Sequence, residues 1–183
     1  MTSHDNASHI PPAGERRSRL RQYQVQLLER MQAAKTGAAA AGRELGVVLG
    51  GQRCLLDLTQ ISEIVPLQPA TPVPLAQDWY QGLVNIRGNL TGVIDLARFQ
   101  GGAVTTPGAD CRLITFAPGL GFNCALLAER VLGLRHLDGM TALAEEGGDA
   151  WCGEHFQDAE GQRWTRIDLA RLVQETRFLQ VGT

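Results

Sequence analysis

The chain shows two hydrophobic patterns, one before and one after residue 43. In residues 15–41 apolar side chains recur at steps of three and four, the spacing of one face of an amphipathic helix. They are Leu20, Tyr23, Leu27, Met31 and Ala34. We predict a helix there, after a polar, disordered leader over residues 1–14. Its apolar face must be buried either on the chain's own domain or against a partner.

Beyond residue 43, short apolar or alternating runs of strand length are separated by turn residues. The predicted strands cover residues 45–49, 53–58, 64–67, 83–87, 90–96, 111–116, 122–127, 132–136, 151–156 and 163–168. Glycine adopts positive φ without strain. Three pairs therefore fit hairpin turns: Gly50-Gly51, Gly88-Asn89 and Gly161-Gln162. Many short strands with regular turns indicate small barrels or a sandwich.

A repeat organises this β-region. The run from Ile94 to Arg98 recurs unchanged as residues 167–171, and its companions in register include the pair Cys54 and Cys124. We infer two copies of a unit of about seventy residues. They predict subdomains over roughly residues 44–100 and 101–173, with boundaries that can interlace. A unit of this size buries too little surface alone, so the copies should share an apolar seam.

Two residue types in the repeat carry structural predictions. The aspartate of each repeated run, Asp95 or Asp168, is placed to cap the helical turn that follows it. A tryptophan, Trp79 or Trp151, precedes each run at a similar distance. For the aspartates we favour the capping role over a catalytic one.

Composition narrows the classes of function. The 183 residues are 44% hydrophobic and 20% charged, which predicts a packed core. The formal charge of −2 argues against a nucleic-acid partner, and no apolar run reaches the ~20 residues that membrane insertion requires. The cysteines form no Cys-x-x-Cys pair, which suits reduced thiols in a cytoplasmic protein.

The sequence shows no motif typical of a catalytic, metal-binding or phosphate-binding site. Cys152-x-x-His155 has the look of half a metal site, but no second pair stands at matching spacing. Gly50-Gly51 is not followed by the Lys-Ser or Lys-Thr of a phosphate loop. We therefore predict no catalytic residue, no metal and no cofactor, and a protein that is not an enzyme.

A family resemblance rests on residues 79–88, which contain Asn85-x-Arg87-Gly88, and on the Ile94-Asp95-Leu96 strand end that follows. This combination resembles the central motif of the CheW family of chemotaxis adaptors over about residues 44–173. The resemblance implies a mainly β fold of two packed five-stranded SH3-like β-barrels within residues 43–173. Residues 1–42 would be an N-terminal helical extension, and residues 174–183 a tail.

The same resemblance implies function and site. Such adaptors couple the cytoplasmic tip of a chemoreceptor to the regulatory domain of a CheA-type histidine kinase. By position, Asn85, Arg87 and Gly88 match the motif that shapes the partner-binding surface, and Glu63 matches an acidic position. Arg87 either contacts a partner or braces its loop through hydrogen bonds to carbonyls. Gly92 stands where the family often has proline.

The long N-terminal helix and the ending over residues 177–181 are similar to the PilI-like variant, which serves twitching motility by type IV pili. Two other classes of function stay open. A small-ligand-binding or enzymatic β-barrel would show a ligand-dependent rise in melting temperature. A structural assembly protein would oligomerise through the N-terminal helix.

Overall fold

The computed structural model describes residues 24–28, 30, 31, 42–145 and 147–183. The strands are β1 (Arg43–Leu49), β2 (Gln52–Asp57), β3 (Ile61–Pro66), β4 (Tyr80–Ile86), β5 (Asn89–Ile94), β6 (Arg112–Phe116), β7 (Cys124–Ala128), β8 (Arg130–His136), β9 (Thr141–Ala142), β10 (Glu154–Gln157) and β11 (Arg163–Ile167). Three short helices are α1 (Leu96–Phe99), α2 (Leu169–Leu172) and α3 (Thr176–Leu179). Residues 24–28, 30 and 31, the N-terminal helical segment, are also helical.

The strands form a five-stranded barrel, in the order β3-β6-β7-β5-β4, and a six-stranded barrel, in the order β8-β1-β2-β11-β10-β9. Each barrel joins strands from both copies of the repeat. Parallel pairing places Ile94 opposite Leu126 in the first barrel and Ile167 opposite Leu56 in the second. These two contacts occupy equivalent positions in the repeat. The two copies therefore interlace rather than form one barrel each.

The predicted fold class, mainly β with two packed barrels, is confirmed, with one correction. One barrel has six strands rather than five, because Thr141–Ala142 pairs with β10 as an additional strand. A strand of two residues is too short to produce an alternating pattern, so the sequence carries no sign of it.

The aspartates of the repeat cap helices as predicted. Asp95 and Asp168 each accept a hydrogen bond from the backbone N–H three residues later, at 3.2 Å in both cases. Their own backbone N–H groups donate to the carbonyls of Trp79 and Trp151, at 2.9 and 2.8 Å. The two halves of the repeat thus share one corner geometry, in which the tryptophan carbonyl fixes the start of the helical turn.

Two predicted turns are shifted. The β4–β5 turn consists of Arg87 and Gly88, with φ of 51° and 84°, and Asn89 already begins β5. The β10–β11 connection is not a tight hairpin at Gly161-Gln162, because it spans residues 158–162. There the Asp158 carboxylate accepts backbone hydrogen bonds from Glu160 and Gln162, at 3.1 and 2.8 Å. The carboxylate adds to two backbone hydrogen bonds of this loop, from the Asp158 N–H to the Gln162 carbonyl and from the Gly161 N–H to the Asp158 carbonyl, both at 3.0 Å.

Several strand ends also differ from prediction. The strand predicted over residues 151–156 begins only at Glu154, because residues 149–152 form a turn in which the Cys152 N–H donates to the Asp149 carbonyl at 3.0 Å. Strands predicted to end at residues 58 and 96 end earlier, where a 3₁₀ turn and α1 begin. The strand predicted from residue 64 starts at Ile61.

The main core lies between the barrels, and each barrel contributes one sheet face to it. Its members include the equivalent pairs Leu56 and Leu126, and Ile94 and Ile167, all at most 2% exposed. Residues 174–183 are anchored to this core, because Phe178 of α3 stacks on the Trp79 ring at 5.6 Å between centroids. Among the described residues no helix is long and apolar enough to cross a membrane.

The N-terminal helical segment packs on the chain's own domain. Met31 is 1% exposed within the main core, and Leu27 packs against it. At these two residues the apolar face is therefore buried on the chain's own domain. Leu20, Tyr23, Ala34, the rest of the predicted helix over residues 15–41 and the leader over residues 1–14 lie outside the described residues.

Candidate functional site

The β4–β5 turn presents an arginine in a backbone conformation that usually belongs to glycine. Arg87 has φ of 51°, in the left-handed region, where a side chain costs roughly 1 kcal/mol or more. Its side chain is 71% exposed. An exposed, strained residue of this kind persists only when neighbouring groups hold it, and two of the predicted site residues do so.

Asn85 holds the turn from within. Its side-chain oxygen accepts a hydrogen bond from the backbone N–H of Gly88 at 2.8 Å. Gly88, with φ of 84°, lets the chain reverse at this point without a clash. The Asn-x-Arg-Gly pattern is therefore a self-closed turn, whose geometry follows from the order of its residues.

Glu63 holds the arginine from outside the turn. Its Oε2 lies 3.1 Å from Nε of Arg87, and its side chain is 28% exposed. Glu63 lies in β3, where the register with β6 shifts between Ile61 and Ile64. Such a bulge redirects a side chain away from the regular alternation.

The Thr115 hydroxyl on β6 fills the gap that this bulge leaves. It accepts a hydrogen bond from the Glu63 backbone N–H at 2.8 Å and donates to the Glu63 carbonyl at 3.4 Å. The bulge is therefore a fixed feature of β3, and it sets the position of the Glu63 carboxylate.

The ion pair links the two edge strands of the five-stranded barrel. Glu63 belongs to β3 and Arg87 follows β4, and these strands stand at opposite ends of the sheet order. The structure thus brings all four predicted site residues, Asn85, Arg87, Gly88 and Glu63, to one place, which we call the clasp. For Arg87 it shows a bracing contact, made to a carboxylate rather than to the carbonyls that we had considered.

The structure explains why position 92 holds glycine rather than the proline that the family often has there. A Cβ atom at Gly92 would lie 2.6 Å from the Tyr80 hydroxyl oxygen. The Tyr80 side chain on β4 therefore covers Gly92 on β5, and a proline could not occupy this position without moving the ring. Gly92 and Tyr80 act as a matched pair on the two strands that carry the clasp.

Sequence reasoning missed three residues around the clasp: Thr115, Leu90 and Asn123. Leu90, next to the turn, is an exposed large hydrophobic side chain, and the Asn123 amide donates a hydrogen bond to its carbonyl. A sign of the bulge was present in the sequence. Ile61 and Ile64 are both buried at a spacing of three, which breaks the strict alternation of a regular strand.

The thiols of the strands are poor nucleophiles. Burial raises the pKa of Cys54 to about 12 and that of Cys124 to about 11, so both remain protonated at neutral pH. His155 Nδ1 lies 3.1 Å from the Thr165 hydroxyl across the strand pair, not beside Cys152 in a ligand set. Within residues 42–145 and 147–183 and the N-terminal helical segment, no three His, Cys, Asp or Glu side chains are grouped to hold a metal.

Residues 44–177, which include the whole clasp, match the CheW-like domain family. The chain is 24% identical to Protein PilI of Pseudomonas aeruginosa over 103 residues, covering 56% of this chain and 57% of that protein. The match thus spans little more than half the length of this relative. The fold is similar to the crystal structure of scaffolding protein TtCheW from Thermoanaerobacter tengcongensis, with a TM-score of 0.59 and 19% identity, covering 69% of this chain and 88% of that one.

Proposed function

The chain belongs to the CheW-like domain family, and on that premise we propose that it is a non-catalytic signalling adaptor in the cytoplasm. It couples the cytoplasmic tip of a chemoreceptor to the regulatory domain of a CheA-type histidine kinase. The likeness to Protein PilI favours pilus-based twitching motility as the pathway. The observation that carries the proposal is the clasp, in which an exposed guanidinium is held in a fixed position by groups of its own barrel.

The clasp suits recognition of another protein for a physical reason. Arginine has N–H donors on three nitrogens, so a guanidinium that faces Glu63 through Nε keeps terminal donors for a second acceptor. Because the turn and the ion pair already order the side chain, binding loses less conformational entropy than it would with a free arginine. Leu90 adds an exposed apolar group beside this charge. A partner that offers a carboxylate next to an apolar residue fits this surface.

The test uses two substitutions of Arg87. Arg87→Glu reverses the charge beside Glu63, and Arg87→Gly removes the side chain while relieving the left-handed backbone strain. Both should weaken co-precipitation of the receptor tip or the kinase regulatory domain about tenfold or more. Arg53→Glu, at an exposed arginine of the six-stranded barrel, is the matched control.

Circular dichroism and thermal melting must show that the variants remain folded. Unchanged binding of both partners by Arg87→Gly would remove Arg87 from the binding surface. Equal losses with Arg53→Glu would point to a general effect of charge rather than to the clasp.

A further inference from the structure

The outer edge of β4 is covered by a loop rather than by a strand. β4 stands at one end of the strand order of the five-stranded barrel. On its outer side lie residues 71–77, which we call the strap. The strap begins at Thr71, which exchanges two backbone hydrogen bonds with Leu83, at 2.8 and 2.9 Å. The contact is close, because a Cβ atom at Gly82 would clash with the Thr71 carbonyl oxygen.

The strap is a poor pairing partner for β4. The antiparallel pair of Thr71 and Leu83 is an isolated bridge, so the ladder does not continue on either side of it. A continued ladder would place Pro69 opposite Asn85, and proline has no N–H to donate. An extended segment with an N–H at each position could therefore form more hydrogen bonds with the edge of β4 than the strap does.

The other end of the strap is held by residues 181–183, which we call the latch. The backbone N–H and the hydroxyl of Thr183 both donate to the Leu75 carbonyl, at 2.8 and 3.1 Å. The Gln77 N–H donates to the Val181 carbonyl at 2.7 Å. Because the latch follows α3, which is anchored in the main core, it ties the strap to the core.

The strap is strained where the latch holds it. Leu75 has φ of 57°, in the left-handed region, and within the described part of the chain only Arg87 shares this conformation among residues other than glycine. The Leu75 side chain is 80% exposed, so burial does not offset the strain. Release of the strap relieves this strain, which therefore favours opening.

From these contacts we propose that the strap is a strained, latched cover, which opens locally and uncovers the edge of β4 for an extended strand of a partner. Strand addition to an open sheet edge supplies binding through backbone hydrogen bonds. β4 leads directly into the turn that carries Arg87, so an added strand would lie beside the clasp. The partner strand rests on the proposed adaptor function, whereas the opening of the strap does not.

Hydrogen exchange of the full chain, followed by NMR, measures the opening. The Leu83 N–H donates to the Thr71 carbonyl, so its exchange reports on release of the strap. It should exchange about tenfold or more faster than the amide of Ile114, which lies in β6 between two other strands. Exchange of Leu83 as slow as that of Ile114 would overturn the local opening.

Two substitutions should shift the rate of Leu83 in opposite directions. Leu75→Asn should slow exchange about fivefold, because asparagine tolerates the left-handed conformation better than leucine. Thr183→Pro should accelerate it about fivefold, because proline offers the Leu75 carbonyl neither an N–H nor a hydroxyl. Val104→Asn, at a 54% exposed valine on another loop, is the matched control and should leave the rate unchanged. Equal rates in all four proteins overturn the inference.

A disulfide lock tests the partner strand. Opposed residues of a hydrogen-bonded antiparallel pair are about 5.5 Å apart at Cα, so Thr71→Cys with Leu83→Cys can join the strap to β4. The oxidised lock should bind the receptor tip or the kinase regulatory domain about tenfold more weakly, and reduction should restore binding. Leu83→Cys alone, treated with the same oxidant, is the control.

The outcomes separate the two proposals. Full binding of both fragments by the oxidised lock overturns strand addition at β4 and leaves the adaptor function in place. If the wild type binds neither fragment, the adaptor assignment and the partner strand both fail, and the exchange rates decide whether the strap opens.

Discussion

At equivalent positions the interior of one barrel is aliphatic and that of the other is charged. The equivalence follows from the strand pairings, which place Leu113 opposite Leu127 in the five-stranded barrel and Glu44 opposite Asp57 in the six-stranded barrel. In the parallel pairings, Val93 of the first barrel corresponds to Arg166 of the second. Three aliphatic side chains in the five-stranded barrel therefore correspond to two carboxylates and an arginine in the six-stranded barrel.

The charged interior is stabilised by Arg166. Its Nε and Nη2 lie 3.1 and 2.9 Å from Oε1 of Glu44, and its Nη1 lies 3.0 Å from Oε2 of Glu154. Asp57 Oδ2 is further away, at 3.5 Å. Burial works against the charge on Arg166, but the hydrogen bonds to Glu154 and Glu44 outweigh it and raise its pKa. The other Glu44 oxygen, Oε2, is buried without a hydrogen bond.

The difference shows that one strand framework accepts two kinds of interior. Nonpolar side chains gain stability from burial without a specific partner. The five-stranded barrel, which carries the strained turn and the ion pair at its edge, therefore needs no charged pair in its interior. In the six-stranded barrel the buried Glu44 carboxylate depends on Arg166, so the stability of this barrel should vary with pH and with single substitutions. The candidate binding surface lies on the barrel in which the compared positions carry no charge.

The largest expected effect comes from exchanging the two interiors at one position. Leu113→Glu would bury a carboxylate opposite Leu127, in a cluster where Val93 stands at the position that Arg166 holds in the other barrel. It should lower the free energy of unfolding by about 4 kcal/mol or more. The reciprocal Glu44→Leu should leave stability at or above that of the wild type, because Arg166 keeps Glu154. Urea unfolding monitored by circular dichroism measures both. Similar losses in the two variants would show that the barrels do not differ in the way described.

The next effect concerns the arginine itself. Arg166→Leu leaves the Glu44 carboxylate buried beside two others and should cost about 3 kcal/mol of unfolding free energy. Arg171→Leu, at an exposed arginine paired with Asp168 on α2, is the control and should cost about 0.5 kcal/mol or less. The same unfolding experiment applies, and a loss for Arg166→Leu as small as that of the control would mean that the carboxylates do not depend on this arginine.

The smallest effect is one of pH. Burial is the main cause that raises the pKa of Glu44 from 4.5 to about 6, against the opposing attraction of Arg166. The folded state therefore holds this proton more tightly than the unfolded chain. The contribution of Glu44 to stability is lowest above pH 6 and rises as the pH falls toward 4.5, by about 2 kcal/mol in total.

Glu44→Gln should abolish this component. The free energy of unfolding is measured for both proteins at pH 5 and at pH 8, and the difference between Glu44→Gln and the wild type is compared at the two pH values. The advantage of Glu44→Gln over the wild type should be greater at pH 8. An offset between the two proteins that does not change with pH would contradict the raised pKa.

The repeat made much of the fold predictable. Identical runs around Asp95 and Asp168 predicted equal helix caps, and the pair Cys54 and Cys124 holds equivalent places, opposite Thr165 and Gly92. The charged interior was not predictable. Glu44 directly precedes the strand predicted over residues 45–49 and resembles an ordinary solvent-facing residue, yet it lies within β1 and is 2% exposed. Closure of a barrel is a tertiary event that alternation does not record.

At the clasp, the motif predicted which residues matter but not how they meet. Asn85, Arg87 and Gly88 are adjacent in sequence, so their turn was within reach of local reasoning, although its register was one residue off. Glu63 joins them through a bulge and a threonine hydroxyl that lie on other strands. The packing of the N-terminal helical segment was likewise predictable only in part. Its apolar stripe predicted burial, but it did not indicate which surface the segment packs against.

The most direct test of the clasp as a partner-binding surface is a charge exchange, Glu63→Arg combined with Arg87→Glu, assayed for binding to the receptor tip and to the kinase regulatory domain. The double variant re-forms an ion pair between β3 and the β4–β5 turn, so it should regain any stability that either single variant loses. The account predicts that binding nevertheless stays impaired for at least one partner, because the exposed charge is reversed. Wild-type binding of both partners by the stable double variant would show that the pair only braces the barrel.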